Sequence, residues 1–376
     1  MSLRYNIRCA EPEDSAALLE LFNNTPQEGS IRLNFERKPN FFHATGVVTS
    51  DAEVWLMEDT QENRLVGSFS IGKRDVYVNG KKRSTRYGSD LRIHPSYAGG
   101  RTLFRLFKKY KELMQDEWMQ TVILDENKAS IDTVSSGRLT LPTYHYVGQF
   151  ITHMVALNKS YPTPKKSVRR ATPDDIAIIQ NFYDTHAKNK EFYPYYDFSR
   201  IGSNDAYYRD LKISDYFLQF EKDELIGVAA TWNQKAFKQT RFLSYHGSMK
   251  VLRHINNISS KFFGGMNLPR AGQLANYINV HSVLIKDNQP AVFKNILLSI
   301  LAEYKPDKNH HITHNFDAII VGFEKRDPLH SALKNIKSHT LTSNHYLASY
   351  GEKPEYLRHQ EKQDSSNLFY LEPSRL

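Results

Sequence analysis

The residues best placed to do chemistry in this 376-residue chain lie between Asp90 and Phe104. Gly99-Gly100 follow a strand-like run, Tyr87–Ile93, and a loop, His94–Ala98, and stand at the head of an amphipathic segment that predicts a helix from about Thr102 to Glu117. Glycines let a backbone approach a ligand closely, and the first N–H groups of a helix lack intrahelical partners. The helix dipole adds a field that favours an anion. That combination holds a diphosphate largely with main-chain amides, and Arg101 adds a charge-assisted contact. A tight turn before an ordinary helix has the same pattern, so the glycines alone define only a candidate. Asp90, placed by alternation on the same face as Arg92, is a candidate general base; the competing reading is an ion pair with Arg92 or Arg86. Tyr144 and Tyr146 are candidate acids, in a chain whose 22 tyrosines are more often packing residues. His94, in the loop, could relay protons near neutral pH, although its surroundings read as surface.

The elements that must position these groups follow from periodicity. Val54–Met57 and Arg64–Ile71 read as strands around a polar turn, and Val76–Val78 and Lys81–Arg86 flank Asn79-Gly80, a hairpin signal because both turn residues take positive φ. Leu103, Leu106, Phe107, Tyr110 and Met114 fall on one helix face. Thr121–Leu124 predicts a strand, Lys128–Ser136 a short helix and Phe150–Leu157 a closing strand. The expectation is an α/β fold: a mixed, mostly antiparallel sheet flanked by helices.

An internal repeat extends that expectation to the whole chain. Residues 7–24 align without a gap on 168–185 at an offset of 161, with identities at Arg8/Arg169, Ala10/Ala171, Pro12/Pro173, Asp14/Asp175 and Ala16/Ala177. Each copy reads as strand, Pro-led turn and helix, since proline and acids suit a first helical turn. Two domains follow, 1–157 and 168–376, joined by a Lys/Pro/Ser-rich linker at 158–167.

Composition bounds the class. Apolar residues make up 40% and the net charge is +9, with 21 Lys/Arg against 19 Asp/Glu in residues 1–160 and 29 against 22 after them. The excess is dispersed, which argues against a nucleic-acid tail. One cysteine, Cys9, permits no intramolecular disulfide and is expected to be a small buried residue. No signal peptide and no apolar run of membrane-spanning length are visible, so a cytoplasmic protein without membrane attachment is expected. His310, His311 and His314 cluster without a Cys or carboxylate to complete a familiar ligand set, and no metal is expected.

Strand, Pro-x-Tyr, glycine turn and apolar helix together resemble the acetyl-CoA segment of the GNAT superfamily of N-acetyltransferases. SDLRIHPSYAGGRTLF (89–104), WNQKAFKQT (232–240), HSVLIKDNQPAVFKNILLSILAEY (281–304) and VGFEKRDPLHSAL (321–333) resemble bacterial tandem GNAT proteins. The resemblance implies that Leu91, Arg92 and Ile93 line the pantetheine arm of acetyl-CoA, that Ala98, Gly99, Gly100, Arg101 and Thr102 offer amides to the diphosphate, and that Asn127 contacts the arm. It also implies direct attack of an amine acceptor, small molecule or peptide, on the thioester. Two departures stand out. Ala98 and Arg101 occupy positions where the superfamily's loop has Arg or Gln and a glycine. Val134 stands where relatives often place the tyrosine that protonates the departing thiolate. That second departure keeps open a non-catalytic acyl-CoA-binding protein; a nucleic-acid-associated or aminoacyl-tRNA-dependent transferase is a weaker alternative.

In the second half, Phe217–Phe220 and Glu224–Ala230 predict a strand pair, Ala271–Leu284 contains a strand, and Ala291–Tyr304 predicts an apolar helix, Phe316–Gly322 a strand and Leu368–Leu371 a closing strand. The connection KDNQP (286–290) has no glycine, so this half is expected to be a degenerate GNAT-like domain that shapes the acceptor groove. Asp327-Pro328 is expected to cap a helix, and the basic, apolar insertion Met249–Pro269 to be a lid or a packing element.

Overall fold

A computed structural model describes residues 4–99, 101–138, 140–263, 265–306, 316–353, 357 and 368–376, and among them are fourteen strands and seven α-helices. The first half runs β1 (Tyr5–Cys9), α1 (Ser15–Asn23), β2 (Ile31–Glu36), α2 (Phe41–Gly46), β3 (Glu53–Asp59), β4 (Arg64–Val78), β5 (Lys81–Ile93), α3 (Thr102–Met114), β6 (Trp118–Leu124), α4 (Lys128–Val134) and β7 (Thr143–Ala156). The second runs β8 (Val168–Arg170), α5 (Ile176–His186), β9 (Tyr216–Glu221), β10 (Glu224–Trp232), β11 (Gln239–Tyr245), α6 (Met249–Phe263), β12 (Tyr277–Ile285), α7 (Pro290–Glu303), β13 (Ala318–Glu324) and β14 (Ser338–Ser349).

The repeated segments fold alike, and their identities have a physical reason. Arg8 makes a two-pronged ion pair with Asp14, both contacts at 2.7 Å, and Arg169 makes the same pair with Asp175 at 2.6 and 2.8 Å. Each carboxylate also accepts the main-chain N–H that opens the turn, Glu11 N at 2.8 Å and Thr172 N at 2.7 Å. The motif ties strand to helix with charge-assisted bonds at a helix N-terminus.

Twelve strands form one sheet in the order β1-β3-β4-β5-β6-β14-β7-β13-β12-β10-β9-β8. Two neighbouring pairs are parallel, β5 with β6 and β12 with β13. The last strand of the first half, β7, pairs with β13, and the last strand of the second, β14, lies between β6 and β7. Each parallel pair is therefore backed by a strand from the other half. A separate ribbon, β2 with β11, also joins the halves.

The Asn79-Gly80 turn takes φ of 49° and 72° as expected, but β4 is a single fifteen-residue strand rather than two runs. α3 buries Leu106, Phe107, Tyr110 and Met114 against Met57, Val66, Phe69 and Met119. α1 packs Leu18 and Phe22 with Phe41, Val54 and Leu56. At roughly 1.5–3 kcal/mol for each large apolar side chain fully buried, these faces fix the helices against β3–β5. Asp327 caps the turn Pro328–Leu333 by accepting from Leu329 N at 2.8 Å. α6 holds Val251, Leu252, Ile255 and Ile258 exposed.

Two expectations need correction. Cys9 is exposed although alternation puts it on the face of Tyr5 and Ile7, because it is the last residue of the edge strand β1. Residues 368–371 are not a strand; β14, unrecognised in the sequence, is the last strand and lies between β6 and β7, and 369–376 pack across the sheet instead. The histidines 310, 311 and 314 lie outside the described residues, as does Gly100.

Candidate active site in the first half

The β5–β6 pair opens like a fork. Arg86 pairs with Met119 and Tyr87 with Gln120, and the parallel ladder stops there. Just beyond, Thr121 Oγ1 donates to the Gly88 carbonyl at 2.9 Å. On its other edge β5 stays bonded to β4, with Ser68 opposite Arg92 and Gly67 opposite Ile93. Between those partners β5 carries one extra residue: Ser70 faces Ser89 while Ser68 faces Arg92, and Asp90 takes φ 58°. This is a β-bulge, which re-aims a side chain and is common beside active sites.

The loop at the open end has the expected form. Pro95–Tyr97 is a 3₁₀ turn in which His94 Nδ1 accepts from Ser96 N at 3.3 Å, so His94 holds the turn. Ala98, Gly99 and Arg101 are exposed, and α3 begins at Thr102, which is buried. Gly99 has φ 76°, and a Cβ there would meet nothing within 4 Å. Its glycine serves the backbone conformation, and the space around it is open. Leu91 is 40% exposed.

Asp90 lies on the α1 face in a cluster of cations. Its Oδ1 accepts from Arg37 Nη2 at 2.5 Å, and both side chains are more than nine-tenths buried. Asp90 does share a face with Arg92: the two interact, and the guanidinium groups of Arg92 and Arg37 lie 5.0 and 5.4 Å from the Phe22 ring. Arg86 is elsewhere, bonded to Glu117 at 2.5 Å. Lys238 joins this cluster from the second half, where its Nζ donates to the main-chain oxygens of Leu376 at 2.5 Å and Ser374 at 3.3 Å. Burial, and then the charge of Arg37, push its amine down to about 7. The ribbon sets this meeting: Glu36 pairs with Gln239, so Arg37 and Lys238 leave the same end of β2 and β11. Lys238 sits in the WNQKAFKQT run; Arg37 carried no signal in the sequence, since only the fold brings it to β5.

Other candidates fall farther from the fork. Tyr144 and Tyr146 lie on β7, which β14 separates from β6. Tyr146 is 59% exposed beside Tyr346, and burial of Tyr144 among Tyr110 and Tyr350 raises its hydroxyl well above the usual tyrosine range. Asn127 caps α4, accepting from Ser130 N at 3.1 Å and donating to Gln27 Oε1 at 3.3 Å. Val134 is the last residue of α4, which carries no tyrosine. A surface hollow of about 500 Å³, lined by Pro173, Asp174, Gln180, Asp184, Tyr195 and Asp197 among others, belongs to the first turn of α5 and not to the fork. Among the described residues no group of three or more His, Cys, Asp or Glu is arranged to hold a metal ion, and no helix is long and apolar enough to cross a membrane.

The second fork is built the same way and is filled. β12 and β13 pair in parallel at residues 277–279 and 318–320. β12 bulges at Ser282, with φ 52°. Here the bulge N–H donates to Glu372 Oε2 at 2.8 Å, and Pro373 packs on Gly322 of β13.

A strand fork, a bulge on its first arm and a helix N-terminus at its open end define the GNAT fold, and the chain has it in a two-domain arrangement. The solved structures it resembles agree. N-myristoyltransferase of Saccharomyces cerevisiae with bound myristoyl-CoA superposes with a TM-score of 0.56 at 9% identity, covering 94% of this chain and 81% of that one. A GCN5-related N-acetyltransferase from Sphaerobacter thermophilus gives 0.53 at 12% identity, covering 93% and 97%. At such identities the likeness is one of fold. No protein-family model matches the chain, and no curated protein sequence matches it.

Proposed function

We propose that the chain transfers an acetyl group from acetyl-CoA to an amine held on the α1 face of its first half. The pantetheine arm runs along the free edge of β5 from Ser89 to Ile93, the diphosphate meets the amides of Ala98, Gly99, Arg101 and Thr102, and the thioester ends beside the Asp90 bulge. The observation that carries this reading is the ladder that stops at Tyr87, leaving β5 unpaired toward β6 beneath a bulge and ahead of the α3 N-terminus. The solved neighbours are acyltransferases, one of them with an acyl-CoA bound, which supports the same chemistry. Val48, Tyr87, Phe150 and Leu371 pack the closed end, which favours a short acyl group over a long one.

In the reaction the amine nitrogen attacks the thioester carbonyl carbon. The C–N bond forms, the C–S bond breaks, and the proton shed by nitrogen ends on the coenzyme A sulfur. Holding both partners in one cleft supplies much of the rate. Asp90 accepts through Oδ2 the proton that the bound ammonium loses before attack, since Oδ1 is committed to Arg37, and later releases it to solvent; the proton shed as the C–N bond forms is the one that ends on sulfur. Val134 favours a second reading, an acyl-CoA-binding protein without turnover. Calorimetric titration with acetyl-CoA and myristoyl-CoA, followed by thiol release with an amine panel, tests both. Binding of acetyl-CoA with amine-dependent thiol release supports transfer, and binding without release supports the second reading. Gly99→Glu, which puts a carboxylate into the open space at the diphosphate, should weaken binding at least about tenfold. Wild-type affinity in that variant would place the cofactor elsewhere.

A further inference from the structure

Resting on the transfer reading above, we infer that the acceptor is an amino acid or a similar zwitterion, an amine that also carries a carboxylate, with its ammonium on Asp90 and its carboxylate between Arg37 and Arg92. The cluster on the α1 face is short of partners in a complementary way. Arg37 Nε and Nη1 and Arg92 Nε are buried donors without hydrogen bonds, and Asp90 Oδ2 is a buried acceptor without one. Arg37 and Asp90 are more than nine-tenths buried as side chains, so solvent does not satisfy these atoms. Leaving such groups unpaired costs free energy, and a native site that keeps several together is built for something that completes them. Three unpaired guanidinium donors and one unpaired carboxylate oxygen match a carboxylate and an ammonium on one small molecule.

The charge count points the same way. Arg37 and Arg92 share a single acid, Asp90, and the nearby Lys238 is engaged with the main-chain oxygens of Leu376 and Ser374. Arg74 and Arg375, which also act on Lys238, are engaged with main-chain oxygens and ring faces: Arg74 with Val48 O and the ring of Tyr87, Arg375 with Val47 O, Tyr207 O and the ring of Tyr207. An added carboxylate offsets that excess, and a guanidinium pair offers the planar fork that suits it. The placement fits the reaction, because Asp90 stands at the bulge where the thioester is held and a nitrogen on its free oxygen is beside the carbonyl. Arg92 and Lys238 keep part of their residue surface in solvent, while Arg92 Nε and the Lys238 amine are buried with the cluster.

The test is equilibrium binding to the full chain, with no acyl-CoA present, of α- and ω-amino acids against their carboxamides and decarboxylated amines. The expected result is at least tenfold tighter binding of one or more acids than of the matching amide. Arg92→Gln should erase that preference and Arg92→Lys should restore part of it, with both variants keeping wild-type melting behaviour. Equal binding of acid and amide, or binding of neither at millimolar concentration, overturns the inference. A preference that survives Arg92→Gln overturns the assignment of the carboxylate to that residue. Acetyl-CoA titration is scored separately: if it fails while the acid preference holds, the transfer reading falls and the zwitterion site stands.

Discussion

The two forks share a frame and differ in what their bulges face. At Asp90 and at Ser282 the first arm of the fork inserts one residue with φ near 55°, and in both the parallel ladder ends a few residues away. In the second fork the chain completes the bulge itself. Glu372 accepts from Ser282 N, from Ser374 N at 3.2 Å and Ser374 Oγ at 2.8 Å, and from Tyr196 Oη at 3.2 Å, while Pro373 closes on Gly322. The turn to α7 is short, without glycine, and α7 is buried on nearly every side. In the first fork the turn is longer, Gly99 is open, and α3 keeps a polar face. One frame thus serves as packing where its own chain fills it and as a candidate cofactor cleft where it stays open. The difference lies in the occupant, not in the strands.

That contrast can be broken at its bulges. Asp90→Asn should lower kcat for acetyl transfer about 10²-fold or more while acetyl-CoA binding is kept, whereas Ser282→Ala should leave kcat near wild type. Comparable losses from both would mean that the second fork takes part in the chemistry. Glu372→Ala should destabilise the fold by about 1–3 kcal/mol in denaturant melts, because it strands the Ser282 amide. Wild-type protein should bind one acetyl-CoA per chain; a second equivalent in Glu372→Ala would show that the plug, rather than the glycine-free turn, keeps the second fork closed. A further test concerns the arm of the first fork. A Cβ on Gly88 would overlap the Tyr110 hydroxyl and stand 2.7 Å from Met119 Sδ. Gly88→Ala should therefore cost about 1–3 kcal/mol, and adding Tyr110→Phe should recover part of it.

Much of the fold was legible because local rules and tertiary needs agree in it. The Arg-x-x-x-Pro-x-Asp repeat announced two strand-turn-helix starts, and the ion pair it encodes is local, six residues apart in each copy. Asn79-Gly80, the α3 face and the Gly99 turn were legible for the same reason. What escaped depends on long-range pairing. β14 alternates weakly and is a strand because β6 and β7 flank it. Residues 368–371 looked like a closing strand, yet they lead into Glu372, which satisfies a bulge far away in sequence. Arg37 is 53 residues from Asp90 and Lys238 farther still, so no spacing rule could join them. Asn127 shows the converse, since a residue type carried over from relatives is here occupied with capping α4.

The smallest expected effect compares a histidine beside each fork. His345 lies on β14 with Nε2 3.3 Å from Gln120 of β6, and His281 lies on β12 with Nδ1 2.8 Å from Ser282 Oγ. Burial holds both neutral: it pushes His345 down to about 3 and His281 well below the usual histidine value. An unfolded chain takes up these protons near pH 6.5, and the folded chain does not until far lower. Between those limits the unfolded state binds more protons, so stability falls as pH falls, by roughly 1 kcal/mol per histidine one unit below 6.5. Above pH 6.5 both histidines are neutral in either state and this contribution is flat. Chemical melts from pH 7.5 to 5 should show that slope. His345→Gln, which keeps a polar group beside Gln120, should remove about half of the share due to these two residues. A slope unchanged in His345→Gln and in His281→Gln would mean that neither fork excludes protons, and that acid sensitivity arises at other groups such as His153, which burial pushes down to about 4.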